Sequence, residues 1–294
     1  MEEKHFPGLY QASDKASLIA QSTYKNIIAY DLITMIIAAA LAIYNYQSTD
    51  PKLLVYVISC FFLLAGLVLT SIVKTKKYED VWYQGRALAE SCKTLTWRFI
   101  TCSESFEVDM NPENAKDAFV KRLKELGNEF KELNNNLNAK TLTLPNISDE
   151  MLRIRDLSMQ QRKEYYIQHR IEDQKNWYAT KAEFNKNKYN FWFITIIVAQ
   201  GVALACAIYL IKNPDSNWNF VGLFTTISAC ALSWLQLKQH QELKQAYTTA
   251  AQELNFILDS ATSVTSETKL SEFILDSENA ISRENTLWLA QKRS

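Results

Sequence analysis

The sequence is short of the residues that make turns, with 6 Gly and 5 Pro in 294 positions. That scarcity excludes a loop-rich β sandwich and a disordered chain. Net charge is missing too, since 32 Lys and Arg balance 32 Asp and Glu. The overall basic signature of a nucleic-acid binder is therefore absent, and only a local patch could serve that role. Five cysteines are an odd number with no C-x-x-C pair, so neither a disulfide framework nor a zinc site is indicated. His5, His169 and His240 are scattered, the last two on helices expected to face solvent. HExxH, GxxxxGKS/T and GxGxxG are all missing. Acidic pairs such as Glu172-Asp173 sit on helices dense in opposite charge, where a solvated face explains them better than acid–base work. No catalytic residue, metal or cofactor is expected.

What the sequence does hold is apolar material in four windows free of charge. They are Leu32–Thr49 with 18 residues, Leu53–Val73 with 21, Tyr189–Ile211 with 23 and Ser216–Leu237 with 22. A helix needs about 20 apolar residues to cross about 30 Å of hydrocarbon. Three windows meet that length, and the first does so by borrowing Ile27–Tyr30, which puts Asp31 inside the span or at its rim. The competing reading is four core helices of a soluble bundle, but such helices seldom go five turns without a charge on the face that meets water. The expected spans are therefore 27–46, 53–73, 189–211 and 216–237, paired into two tight hairpins by turns containing Pro51 and Pro214. Tyr44, Tyr46, Tyr189, Trp192 and Trp218 lie near span ends, where amphipathic rings favour the interface.

Lys and Arg set the orientation. Of the 32, 21 lie in segment 74–188, and Lys74, Lys76, Lys77, Lys181, Lys186 and Lys188 flank spans directly. The positive-inside rule then places this segment and both termini in the cytoplasm. No charged n-region with a short apolar run and cleavage site opens the chain, so no removable signal peptide is expected.

The rest reads as charged helix. Val81, Leu88, Cys92, Leu95 and Phe99 recur at helical spacing, with Arg86, Glu90, Lys93 and Trp97 as a second stripe. Asn111-Pro112 starts a helix running to Leu133. Ser158-x-x-Gln161 is a capping box for a helix over 159–188, which contains no Gly or Pro and can run into the third span. The fourth span is expected to continue through Lys238–Leu258, and a last helix covers Glu267–Gln291. The fold class is all-α, with two transmembrane hairpins and a helical cytoplasmic domain. Approach helix, hairpin and exit helix occur twice, as residues 1–140 and 147–294, with both hairpins pointing the same way.

Polar residues within the spans suggest either close helix packing or a pore stripe. Gln200 in the third span and Thr226 and Ser233 in the fourth are the pore-lining candidates, with Asp31 a candidate charged ring at a pore mouth. One chain cannot easily enclose a water-filled lumen, so a homo-oligomer is expected, with four subunits the natural count. Segment 74–188 carries 21 basic and 18 acidic residues with Trp82, Trp97, Trp177 and Tyr178 interleaved. Arg86, Lys93, Arg98 and Arg170, with Trp97 and Trp177, are the candidates for a cytoplasmic anion site.

Two stretches, Trp82–Phe99 and Arg170–Tyr178 running into Asn185 and a hairpin, resemble SLATT-domain proteins, as does the tail Glu278–Trp288. The resemblance covers nearly the whole chain as two tandem copies. It implies a bacterial inner-membrane effector of antiphage defence, associated with SMODS nucleotidyltransferases and SLOG sensors, that assembles into pores and collapses the membrane potential. In the Hailong-type arrangement such a channel is paired with a nucleotidyltransferase whose oligonucleotide product controls gating. A membrane scaffold that docks a soluble defence enzyme and conducts nothing is the alternative, and a transporter the third reading.

Overall fold

The computed structural model describes residues 1–293, with side chains through Ser282. The tail motif from Glu284 to Trp288 thus lies outside the described side chains. The protein is 83% helical, and no strand occurs among the described residues, in keeping with the all-α expectation. In order the helices are α1 (Gly8–Leu41), α2 (Thr49–Lys76), α3 (Tyr78–Ile100), α4 (Pro112–Glu129), α5 (Ala139–Leu142), α6 (Asp149–Arg155), α7 (Met159–Tyr166), α8 (Asp173–Lys212), α9 (Val221–Lys238), α10 (His240–Ser260) and α11 (Glu267–Arg293).

The caps sit where local chemistry puts them. Asn111 accepts from the Glu113 amide with Pro112 in the first turn of α4. Ser148 caps α6, and Ser158 with Gln161 forms a reciprocal capping box on α7. Each satisfies amides that the first turn leaves without helical partners.

Three expectations are corrected. The first span was drawn to residue 46, but α1 ends at Leu41 and residues 42–48 form the turn. The helix from Pro112 stops at Glu129 and tightens into a 3-10 segment, Lys131–Asn136. The helix expected over 159–188 does run into the third span, as Met159–Lys212, and carries within it a π segment, Ile167–Glu172, whose wider turn no composition signal marks. The fourth span does not run on, because Gln239 adopts a left-handed conformation (φ 47°) between α9 and α10.

The chain divides into two compact units and passes between them four times. The first comprises Met1–Gln21, Glu79–Ala182 and Gln245–Ser294. Its core joins Phe6 and Tyr10 to Leu88, Trp97, Phe99, Phe119, Ile154, Tyr166, Leu254 and Phe273. Here α3 lies close against α1: a Cβ on Gly85 would stand 3.0 Å from the Ser13 carbonyl oxygen, and Ser17 Oγ donates to the Trp82 carbonyl at 3.0 Å.

The second unit comprises Ser22–Tyr78 and Glu183–Lys244. Among the described residues, three helical segments are long and apolar enough to cross a membrane: Gly8–Leu41, Thr49–Ile100 and Met159–Lys212. The fourth expected window falls on α9, which has 18 residues with Thr, Ser and Gln among them and is not in that set. The two hairpin turns meet in this unit. Asn45 N–H donates to the Asn217 carbonyl and Asn219 N–H to the Ile43 carbonyl, both at 2.7 Å, making an antiparallel bridge between Tyr44 and Trp218. Gln47 Nε2 adds a bond to Asn217 Oδ1 at 2.8 Å.

Candidate functional site

In the second unit, the outward faces of the helices differ in kind. Leu53, Leu54, Val57, Phe61, Leu64 and Leu67 are exposed on α2. Phe191, Ile194, Ile197, Val198, Leu204 and Ile208 are exposed on α8. Such faces suit lipid. On α9 the exposed positions are Gly222, Thr225, Ala229, Leu232, Ser233 and Gln236. They recur at three- and four-residue spacing and form a small, polar stripe with one Leu. The inward side of α9 holds Ser228, Cys230 and Ala231, all buried. Cys230 Sγ lies 3.7 Å from the Leu32 carbonyl of α1.

Ser233 therefore stands on the exposed polar stripe. Thr226 is half-buried, and it is Thr225 beside it that faces out. Both hydroxyls bond back into their own helix, Thr226 to the Gly222 carbonyl at 2.8 Å and Thr225 to the Val221 carbonyl at 2.9 Å. Gln200 is exposed on α8 among apolar neighbours. Asp31 faces α2 within its own hairpin. Thr70 Oγ1 donates to Asp31 Oδ2 at 3.4 Å, and Thr34 Oγ1 donates to the Asp31 carbonyl at 2.7 Å. Gly66 makes room for this cluster, since a Cβ there would stand 3.0 Å from both Asp31 Oδ1 and Thr34 Oγ1.

At the end of the same unit, His240 is buried rather than solvent-facing, with Nδ1 2.7 Å from Asn185 Oδ1. Burial pushes its imidazole down to about 4, and Lys238, Lys188 and Lys25 push the same way. The folded chain thus binds fewer protons here than the unfolded chain, whose histidine titrates at the ordinary 6.5. The linked stability is present above 6.5 and is lost as pH falls towards about 4. Thermal unfolding at the two ends of that window checks this: His240→Gln should narrow the difference, and an unchanged difference would count against it.

In the first unit the expected anion-site residues divide into three groups. Arg170 lies in the π segment, 1% exposed, and is locked to Glu278 of α11 through Nε–Oε1 at 2.9 Å and Nη2–Oε2 at 2.8 Å. Tyr166 Oη and Thr94 Oγ1 donate to the same carboxylate at 2.9 and 2.7 Å. Burial pulls the Arg170 pKa down, but the Glu278 carboxylate more than reverses this, so the guanidinium stays charged. Next to it, Arg86 pairs with Glu90 at 2.8 Å and approaches Asp14 at 3.8 Å. Burial raises the Glu90 pKa, yet Arg86, Lys93 and Arg170 together hold it below the usual range. Burial also lowers Lys93, against the pull of Glu90. Arg86, Lys93 and Arg170 thus share one polar layer, but Asp14, Glu90 and Glu278 already answer their charge. The expectation that Arg170 meets a ligand is corrected: its side chain is a core ion pair.

Trp97 is also a core residue, 1% exposed, with its ring edge-on to Tyr166 at 5.6 Å. Trp177 stands apart with Tyr178 and Tyr247, and Lys181 Nζ lies 5.7 Å from its ring centre.

Arg98 lines a recess of about 400 Å³, together with Ser91, Thr94, Glu104, Arg122 and Glu129, among others. Arg98 Nη2 pairs with Glu104 at 3.0 Å, while its Nε is buried without an acceptor among the described residues. Glu104 sits on the segment between α3 and α4, where Cys102 and Ser105 have φ of 57° and 73°. Arg122 pairs with Glu125 one turn away at 3.0 Å. Sequence reasoning missed Glu104, which returns to Arg98 from the segment after α3, and Arg122, which α4 brings to the same recess. No cluster of His, Cys, Asp and Glu suited to a metal ion occurs among the described residues.

Family models match almost the whole chain. Residues 7–163 match the model described as SMODS and SLOG-associating 2TM effector domain 3, and residues 166–288 the one described as domain 1. No curated protein and no solved structure matches.

Proposed function

The chain belongs to the SLATT family of SMODS- and SLOG-associating 2TM effector domains, and from that premise we propose that it is a homo-oligomeric ion channel gated by a nucleotide signal. Its apolar helices mark it as a membrane protein, and its domains are effector domains of defence systems. The observation that carries the channel reading is the contrast between outward faces: α2 and α8 present hydrocarbon, while α9 presents Thr225, Ser233 and Gln236. A polar stripe facing lipid is costly, whereas one facing a water-filled pore or a neighbouring subunit is not. Two 2TM domains call for four spans, so α9 serves as the fourth, and copies of α9 from a ring of subunits line the conduction path. Both termini and the first unit face the cytoplasm of a bacterial inner membrane.

The cytoplasmic trigger acts at Arg98. The recess holds two guanidinium groups and three carboxylates, so an anion must take Arg98 from Glu104. Glu104 reaches Nη2 alone, whereas a phosphate, with more charge, can accept from Nη2 and Nε together and so make that exchange. Freed Glu104 loosens the segment between α3 and α4. A nucleotidyltransferase is the fitting source of such a signal.

The test is ion flux through purified protein in liposomes, with cytosolic extract that has or has not been treated with nuclease. Flux that depends on protein and changes on digestion supports the proposal. Arg98→Gln should abolish the response to extract while leaving flux without extract intact. Flux indifferent to extract would remove nucleotide control, and no flux in any condition would favour a non-conducting scaffold.

A further inference from the structure

The turn at the end of α8 holds a second recess, of about 490 Å³, lined by Tyr44, Tyr209, Lys212, Asn213, Asp215 and Trp218 among others. Lys212 is the last residue of α8 and follows 23 uncharged residues, Tyr189–Ile211. A span of that length ends at the level of lipid headgroups.

The recess is firmly built. Asn213 Nδ2 donates to the Tyr209 carbonyl at 3.0 Å, and the bridge between the turns fixes Tyr44 against Trp218, with ring centres 4.7 Å apart at 66°. Tyr209 and Trp218 are 55% and 53% exposed. Lys212 and Asp215 border the same space, and neither takes part in an ion pair among the described residues. One free cation and one free anion beside an aromatic corner complement a zwitterion rather than an anion.

We propose that this recess binds the headgroup of a zwitterionic phospholipid bearing a primary amine. The phosphate meets the Lys212 ammonium. The lipid ammonium meets the Asp215 carboxylate over the faces of Tyr44 and Trp218. A glycerol headgroup keeps the first contact but brings neutral hydroxyls, not a cation, to Asp215 and the rings. A choline headgroup keeps the aromatic attraction but has no N–H to donate. The order of retention is therefore ethanolamine, then choline, then glycerol. This inference rests on reading α8 as a span.

Native mass spectrometry of the full chain in detergent, with the three lipids supplied equally, tests it. Phosphatidylethanolamine should be retained about tenfold over phosphatidylglycerol. Asp215→Asn should close that gap, and Lys212→Gln should weaken all three lipids. Equal retention of the two lipids by the unaltered chain would overturn the proposal, whether or not the variants fold. Displacement of the lipid by equimolar O-phosphoethanolamine would also overturn it, by making the ligand a soluble zwitterion. Release of the chain from membranes by alkaline carbonate would defeat the span reading itself, a result separable from lipid indifference in a chain that stays embedded.

Discussion

Glu278→Ala should be the most destabilising single substitution in the first unit, costing about 3–5 kcal/mol. Glu278 accepts from Arg170 twice, from Tyr166 and from Thr94, and both charged partners are 1% exposed. Truncation leaves a guanidinium in a site that water does not reach, with two hydroxyls short of an acceptor. The expected fall in unfolding temperature in detergent is roughly 10 °C for a unit of this size. Glu278→Gln keeps an acceptor but not the charge and should fall between. Arg170→Met combined with Glu278→Leu should recover much of the loss, because an apolar pair of similar volume escapes the desolvation cost. If Glu278→Ala melts with the parent, the pair does not organise this core.

That pair also shows where sequence reasoning stops. Arg170 lies in a basic stretch and looks like a ligand contact until Glu278, 108 positions away, is seen to hold it. Nothing in the spacing of either residue announces the other. The capping box at Ser158 and the Asn111 cap were legible because their partners are three residues apart or fewer. The long apolar windows were legible because charges fence them off. The π segment at Ile167–Glu172 and the break at Gln239 were not, since both are fixed by packing rather than by Gly or Pro.

The polar stripe of α9 was half legible. The sequence places small and polar residues in line on α9, but which side of that helix turns away from its own subunit depends on the partners of Ser228, Cys230 and Ala231. Exposure puts Ser233 and Thr225 on the outward stripe and leaves Thr226 half-buried. For the cytoplasmic site, the basic residues were legible as residue types. That they are answered by carboxylates of the same unit was not, nor that Arg98 lines a recess.

The face of α9 decides the account. Ser233→Cys, made in a chain lacking the exposed Cys60 and the half-buried Cys206, introduces a thiol on the polar stripe. Val57→Cys introduces one on the lipid-suited face of α2. A thiol in water ionises and reacts, whereas one in hydrocarbon does not. The direct measurement is flux through liposomes before and after a charged, membrane-impermeant thiol reagent. Ser233→Cys channels should be blocked by more than about tenfold and the Val57→Cys channels left conducting. Equal, slow modification of both positions with flux undisturbed would mean that α9 faces lipid, and that it does not line the path.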